Sequence, residues 1–161
     1  LENTARGRVL EAANFNCPGQ IVISGDKDAV ADVEGPATEA GASNFVKLQV
    51  SGPFHSSLMR QAADSFRPAL DATRFCEGHA RVVSNVTAAW HTPQSIVDLL
   101  QKQIYSSVRW EDSIRFLTGE GCDEFIEVGP GKVLRGLMRR IDKTLKCQGT
   151  EDLESLGKIL A

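Results

Sequence analysis

The chain has 161 residues, of which 42% are hydrophobic and 24% charged, and its formal net charge is −3. These values are typical of a globular protein and exclude a disordered or fibrous chain. The acidic balance argues against nonspecific nucleic-acid binding, which needs a basic surface. No apolar run in the sequence is long enough to span a bilayer, and its four cysteines are too scattered for a C-x-x-C zinc site or a disulfide framework. We therefore expect a reduced cytoplasmic protein with no metal, membrane or nucleic-acid partner.

The first fifty residues predict a small α+β lobe. Two strands, at 8–15 and 20–24, flank the turn Asn16-Cys17-Pro18-Gly19. A helix capped by Asp26 is predicted to run to about residue 40, where Gly41 ends it. Residues 45–50 alternate in polarity, which is typical of a half-buried strand.

From residue 51 onward, helical and strand patterns alternate, which favours an α/β layer with a largely parallel sheet. The first helix is predicted from Pro53 to about residue 73, with Phe54, Leu58, Ala62 and Phe66 on its buried face. The remaining predicted helices cover 93–105, 110–117, 132–143 and 150–160, and the predicted strands cover 81–89, 125–128 and 145–147. Gly129-Pro130-Gly131 is predicted to be a tight strand-to-helix turn.

His55 is the first candidate for chemistry. Its predicted place in the first turn of a helix would disfavour imidazolium and leave the ring able to accept a proton. A neutral imidazole is what a general base for a hydroxyl or thiol nucleophile requires. The alternative is a surface or core histidine with a local partner.

Gln103 falls on the apolar stripe of the helix predicted at 93–105. A buried amide without a partner costs about 1–3 kcal/mol, so Gln103 or its backbone should hydrogen-bond to something. A histidine ring that must be oriented is one possible partner, and water at the rim of the stripe is the other.

The sequence offers no nucleophile to accompany His55. Cys17 lies in a turn before Pro18, with no helix N-terminus to activate it, and is predicted to be a small buried thiol. No G-x-S-x-G occurs, so the strand-to-helix elbow that exposes a nucleophilic serine is absent from this chain.

A basic stripe crosses the helix predicted at 132–143. Its members recur at steps of three and four residues and therefore share one face. They are Lys132, Arg135, Arg139, Lys143 and Lys146. Such a stripe is usually a solvated face, and otherwise it could dock an acidic partner or a phosphate-bearing substrate.

Four segments, in order, carry a family resemblance. They are NFNCPGQIVISG at 14–25, GPFHS at 52–56, QIY at 103–105 with VRW at 108–110, and EVGPGKVL at 127–134. Together they resemble the malonyl-CoA:acyl-carrier-protein transacylase family over nearly the whole chain, but only the C-terminal part of the family's domain. The resemblance implies an α/β-hydrolase-like core with an inserted ferredoxin-like lobe. Residues 1–50 would then be the later part of the lobe and residues 51–161 the end of the core.

The resemblance also implies roles for individual residues. His55 matches the family's catalytic histidine, and Gln103 matches the glutamine whose backbone carbonyl holds that histidine. Phe54 matches the malonyl-preferring form of the motif, and Asn14 and Asn16 lie on a segment bordering the substrate cleft. The basic stripe would be a docking face for the acidic carrier protein.

The implied reaction moves a malonyl group from malonyl-CoA, a substrate rather than a cofactor, to acyl carrier protein through an acyl-serine. The family's serine and its carboxylate-binding arginine lie upstream of every matched segment, and the chain begins with Leu1 rather than Met. We therefore expect the parent protein, a monomer when full length, to be the enzyme. The alternatives are a domain of a polyketide or fatty-acid synthase, and a non-catalytic remnant that binds carrier protein or CoA.

Overall fold

The computed structural model describes residues 7–76 and 78–160, so the predicted boundaries at Leu1 and Ala161 lie outside the described residues. The strands are β1 (Leu10–Cys17), β2 (Gln20–Gly25), β3 (Glu124–Glu127) and β4 (Lys146–Gly149). The helices are α1 (Lys27–Asp32), α2 (Glu34–Glu39), α3 (Arg60–Ala72), α4 (Ile96–Gln103), α5 (Trp110–Gly119), α6 (Val133–Ile141) and α7 (Leu153–Leu160).

The predicted hairpin is confirmed. β1 and β2 pair antiparallel, with Leu10 opposite Gly25 and Cys17 opposite Gln20. The connection needs a residue with positive φ, and Gly19 supplies it at φ 74°. Irregularities in the ladder after Ala12 and Phe15 bend the hairpin.

The single helix predicted after Asp26 is instead two short ones, α1 and α2, which meet at Val33. Pro36, which lacks an N–H and restricts the residue before it, explains the interruption. The Asp26 side chain does not cap α1. It accepts a hydrogen bond from the Val9 N–H at 2.6 Å and so anchors the start of the hairpin.

The strand predicted at 45–50 is wrong, because among the described residues this segment joins no ladder. Three of its apolar side chains are exposed, Val46 by 66%, Leu48 by 53% and Val50 by 65%, whereas Phe45 packs partly buried against Leu10, Ala29 and Val33. Alternation indicates which face a strand would bury, but a strand forms only where a neighbour pairs with its backbone groups.

The helix predicted from Pro53 begins later, with a 3-10 turn at Ser57–Met59 that leads into α3. The predicted buried face is also wrong, since Phe54, Leu58 and Phe66 are exposed, as is Ala62. α3 buries Ala63 and Leu70 instead. The described part of the chain thus leaves one apolar side of this helix uncovered.

The strand predicted at 81–89 is wrong as well. These residues form a turn closed by a single antiparallel bridge between Val83 and Trp90. The helix predicted at 93–105 is shorter at both ends and is α4.

The C-terminal third forms a β-α-β unit. β3 leads through Gly129-Pro130-Gly131 into α6 and then into β4, which pairs parallel to β3. Both glycines have positive φ, so the predicted tight turn is confirmed. The expected parallel sheet amounts to this one pair of strands among the described residues.

Two apolar clusters hold the elements together. The larger contains Cys17 of β1, Ile114 of α5 and three residues of α6, Leu137, Met138 and Ile141. The smaller contains Leu10, Ala29 and Val33 and joins the hairpin to α1. Within the described ranges, no helix is both long and apolar enough to cross a membrane.

Candidate active site

His55 lies in the loop before the 3-10 turn, not in the first turn of a helix as predicted, so the argument from a helix N-terminus does not apply to it. Its φ is 60°, a left-handed conformation that non-glycine residues adopt infrequently. Its backbone N–H donates to the Ile104 carbonyl oxygen at 3.1 Å. The next residue, Ser56, is fully buried and donates its hydroxyl to the Pro53 carbonyl at 2.6 Å. Hydrogen bonds therefore hold the loop on both sides of the histidine.

The structure brings His55 and Gln103 together. The ring nitrogen Nδ1 of His55 lies 2.9 Å from the Gln103 carbonyl oxygen and 3.2 Å from that of Ser106. A carbonyl oxygen can only accept, so Nδ1 must carry the proton and donate it. In the neutral ring Nε2 then holds the lone pair, the form in which it can take a proton from a substrate or nucleophile.

The Gln103 carbonyl is available because Gln103 is the last residue of α4. Carbonyls in the last turn of a helix have no partner further along it. The chain then turns through Ile104 and Tyr105, which brings the Ser106 carbonyl to the same ring nitrogen.

Glu11 also reaches this loop, and sequence analysis missed it. Its carboxylate accepts two hydrogen bonds from Ser57, from the backbone N–H at 2.7 Å and from the hydroxyl at 2.6 Å. Nothing in the strand pattern of β1 distinguishes Glu11 from a solvent-facing residue, because its partner lies 46 positions away.

The other residues predicted to bind substrate lie on the histidine loop and on β1. Phe54 directly precedes His55 and is 46% exposed. Asn14 and Asn16 are half-buried on β1, and Asn14 forms a parallel bridge with Val108. A cleft of about 520 Å³ opens at Phe15 of β1 and not at Asn14 or Asn16; its lining residues are Phe15, Val86, Ser106, Ser107, Arg109 and Asp112.

Cys17 is buried, as predicted, and its thiol lies 3.6 Å from Gln20 Oε1. Burial raises the pKa of the Cys17 thiol. A thiol with a raised pKa is a poor nucleophile at neutral pH. Among the described residues, no group of three or more His, Cys, Asp and Glu is arranged to hold a metal ion.

The predicted basic stripe does not lie on one helix, because only Arg135 and Arg139 belong to α6, while Lys132 precedes it, Lys143 follows it and Lys146 lies on β4. The chain itself also neutralises part of this charge. Arg135 pairs with Glu127 at 3.4 Å and with Glu151 at 3.2 Å, and its side chain is only 21% exposed. Lys132 lies 3.6 Å from Glu151, and Lys146 lies 3.1 Å from Glu124. In the part of the chain that the structure describes, Arg139 and Lys143 are exposed and have no ion-pair partner.

Glu127 links β3 to the start of α6. Its carboxylate accepts the backbone N–H groups of Leu134 at 2.9 Å and Arg135 at 3.1 Å, donors that have no partner within the helix. Burial raises the pKa of Glu127, but these hydrogen bonds and the Arg135 guanidinium outweigh it, so the pKa lies below its usual value.

No protein-family model matches the chain. Individual known proteins, however, are similar to it in sequence and in fold. The chain is 44% identical over 154 residues to the malonyl CoA-acyl carrier protein transacylase of Bacillus subtilis (strain 168), covering 95% of this chain and 49% of the relative.

Two solved structures show the same fold. An acyl carrier protein S-malonyltransferase from Vibrio cholerae is 41% identical, with a TM-score of 0.94 over 98% of this chain and 52% of that one. A malonyl-transacylase in complex with its type II polyketide acyl carrier protein is 37% identical, with a TM-score of 0.96 over 99% of this chain and 52% of that one.

The chain spans about half the length of the relatives it matches. The match confirms the mixed α/β fold class and the resemblance carried by the four sequence segments. The chain therefore belongs to the malonyl CoA-acyl carrier protein transacylase family, in which it corresponds to the C-terminal half.

Proposed function

We propose that this chain supplies the histidine-bearing half of the active site of a transferase that moves malonyl from malonyl-CoA to acyl carrier protein in fatty-acid synthesis. The observation that carries the proposal is the pair of carbonyl oxygens, from Gln103 and Ser106, against Nδ1 of His55. This contact leaves Nε2 as the acceptor, and it does for the ring what a carboxylate does in a Ser-His-Asp triad.

In the first half-reaction, Nε2 of His55 takes the proton of a serine hydroxyl supplied by the other half of the enzyme. The serine oxygen attacks the thioester carbonyl of malonyl-CoA, and the carbon–sulfur bond then breaks. The CoA sulfur leaves with the proton that Nε2 returns, and malonyl-serine remains.

The second half-reaction runs through the same histidine. Nε2 takes the proton of the phosphopantetheine thiol of acyl carrier protein, and the sulfur attacks the malonyl-serine ester. The serine oxygen leaves with that proton, which restores the enzyme. The chemistry requires no cofactor, since the histidine moves every proton.

Phe54, Asn14 and Asn16 are proposed to border the bound acyl group. Their support is position: Phe54 adjoins His55, and Asn14 bridges to Val108 close to the Ser106 carbonyl. Arg139 and Lys143 are proposed to meet the acidic carrier protein. Lys132 and Arg135 remain candidates, but Arg135 already binds two carboxylates of this chain.

The parent is proposed to be a cytoplasmic monomer, in keeping with four cysteines that form no disulfide among the described residues. A place in polyketide synthesis is the second candidate. It is favoured by the similar malonyl-transacylase that was solved with a type II polyketide acyl carrier protein.

The test joins this chain to the N-terminal half of the Bacillus subtilis relative, either as a fusion or by co-expression, and measures transfer of labelled malonyl to holo-acyl carrier protein. We expect transfer by the assembled protein. His55→Ala should reduce the rate about 10²–10⁴-fold, the usual contribution of a general base.

His79→Ala is the matched control, because His79 is exposed and lies outside the site. It should leave the rate unchanged. An assembled, folded complex that transfers no malonyl, or one in which His55→Ala is as fast as the parent, would contradict the proposal.

A further inference from the structure

The loop that carries His55 and the segment that carries its acceptors both attach to one strand, β1. On the loop side, Glu11 binds Ser57 twice, at 2.7 and 2.6 Å. These bonds begin two residues after His55, at the first residue of the 3-10 turn.

The acceptor side attaches to the next residues of the same strand. Ser107 donates its hydroxyl to the Ala12 carbonyl at 2.6 Å, and Val108 donates its N–H to the Ala13 carbonyl at 2.8 Å. Phe15 donates its N–H to the Val108 carbonyl at 2.9 Å. The Ser106 carbonyl that contacts His55 is therefore fixed to β1 by the residues that directly follow it.

β1 is itself held in place by pairing and by burial. It pairs with β2 from Leu10 to Cys17 except at Ala13 and Asn16, and Cys17 at its end lies in the larger apolar cluster. A backbone held at positive φ in a non-glycine residue persists only where its surroundings over-determine it. The bonds to β1 supply that constraint on the C-terminal side of His55.

We propose that Glu11 is a positioning residue for His55: its carboxylate ties the histidine loop to β1, so that Nδ1 stays on the Gln103 and Ser106 carbonyls. The inference rests on the proposed function only for its effect on rate. Glu11 need not touch the substrate. It fixes which ring nitrogen carries the proton, and hence which one is available as the base.

The direct test is the tautomer of His55 in this chain, measured from long-range ¹H–¹⁵N correlations of the imidazole ring, with His55→Ala used to assign the signals. The parent chain should show one tautomer, protonated at Nδ1. Glu11→Ala should lose it and give the tautomer mixture of a free imidazole. Glu11→Gln should keep it, because the amide can accept the Ser57 N–H and donate to the Ser57 hydroxyl.

Asp26→Ala is the matched control. Asp26 is also a carboxylate that holds a backbone N–H of the hairpin region, that of Val9 at 2.6 Å, but it binds no residue of the histidine loop. It should loosen the lobe without changing the His55 tautomer. Should Glu11→Ala not fold, Ser57→Ala takes its place, with a smaller change of the same sign.

The proposal is overturned if Glu11→Ala or its Ser57→Ala substitute leaves the tautomer of the parent, if Asp26→Ala abolishes it equally, or if Glu11→Gln behaves like Glu11→Ala. In the assembled enzyme, Glu11→Ala should lower kcat about 10- to 100-fold with little change in KM for malonyl-CoA, as expected for a displaced catalytic group. An inactive parent complex would contradict the proposed function and leave the tautomer result standing.

Discussion

Two segments of this chain carry the alternating pattern of a strand, and only one of them becomes part of a sheet. Residues 10–25 bring their own partner, because a two-residue turn at Pro18-Gly19 folds β1 back along β2. Residues 45–50 join no ladder among the described residues, and Val46, Leu48 and Val50 are more than half exposed. The difference teaches that a polarity pattern specifies a face, whereas a strand also requires a backbone to pair with.

The C-terminal part of the chain, from β3 to α7, also has one packed side and one exposed apolar side. One side of α6 is buried in the larger apolar cluster. Away from this cluster, apolar side chains are exposed: Val128, directly after β3, by 83% and Leu153 of α7 by 87%. An apolar cleft of about 540 Å³ lies between β3 and α7. The apolar cluster on the packed side therefore contributes to the stability of this chain, whereas the exposed apolar side chains contribute little.

The largest expected effect comes from emptying the packed cluster. Ile114→Ala should lower the free energy of unfolding by about 2–5 kcal/mol, because a buried isoleucine is replaced by a cavity. Leu48→Ala, on the exposed segment, should change it by about 0.5 kcal/mol or less. Urea unfolding of both variants measures the difference, and equal losses would show that residues 45–50 are packed after all.

A smaller loss of stability is expected from adding a side chain at Gly25, where the backbones of the hairpin approach closely. A Cβ added there would clash with the Val9 carbonyl oxygen, so the backbone must shift. Gly25→Ala should lower stability by about 1–3 kcal/mol. Gly136→Ala, in the exposed interior of α6 with nothing within 4 Å of its Cβ, should instead raise it by about 0.5–1 kcal/mol. Thermal melts in which Gly25→Ala is more stable than Gly136→Ala would disprove the claim that close backbone packing at Gly25 stabilises the hairpin.

The smallest effect concerns Glu127, at the boundary between the packed and exposed sides of the C-terminal unit. Because its pKa is lowered in the folded state, its contribution to stability is present above the unfolded carboxyl value of about 4.3. That contribution disappears as the pH falls through the folded pKa. Glu127→Gln should therefore be less stable than the parent at pH 7, by about 1–2 kcal/mol, and equal to it in acid.

Glu124→Gln on the same strand is the control for this pH dependence. Glu124 is exposed, and its ion-pair partner is an exposed lysine, Lys146. Its substitution should produce little change at either pH. A Glu127→Gln variant that stays less stable than the parent at low pH would mean that its effect comes from packing rather than from charge.

Much of the candidate site could be predicted from the sequence. The motifs around His55 and Gln103 indicated that the two residues act together, and the structure places Nδ1 of one on the carbonyl of the other. The helical position of His55 could not be predicted correctly, because Pro53 suits either a first helical turn or the loop that precedes one. Glu11 was missed because its partner, Ser57, is brought to it only by the fold.

The sequence by itself determined the elements whose causes are local. Pro18-Gly19 and Gly129-Pro130-Gly131 specify turns, and both turns lie where the sequence predicts them. Only the tertiary structure decided that residues 45–50 find no strand partner among the described residues, that Arg135 binds carboxylates of its own chain, and that the Ser106 carbonyl joins that of Gln103 at Nδ1 of His55. The reason is physical: every residue has a carbonyl and an amide, so no side-chain pattern marks which of them the fold will bring to a given ring or strand.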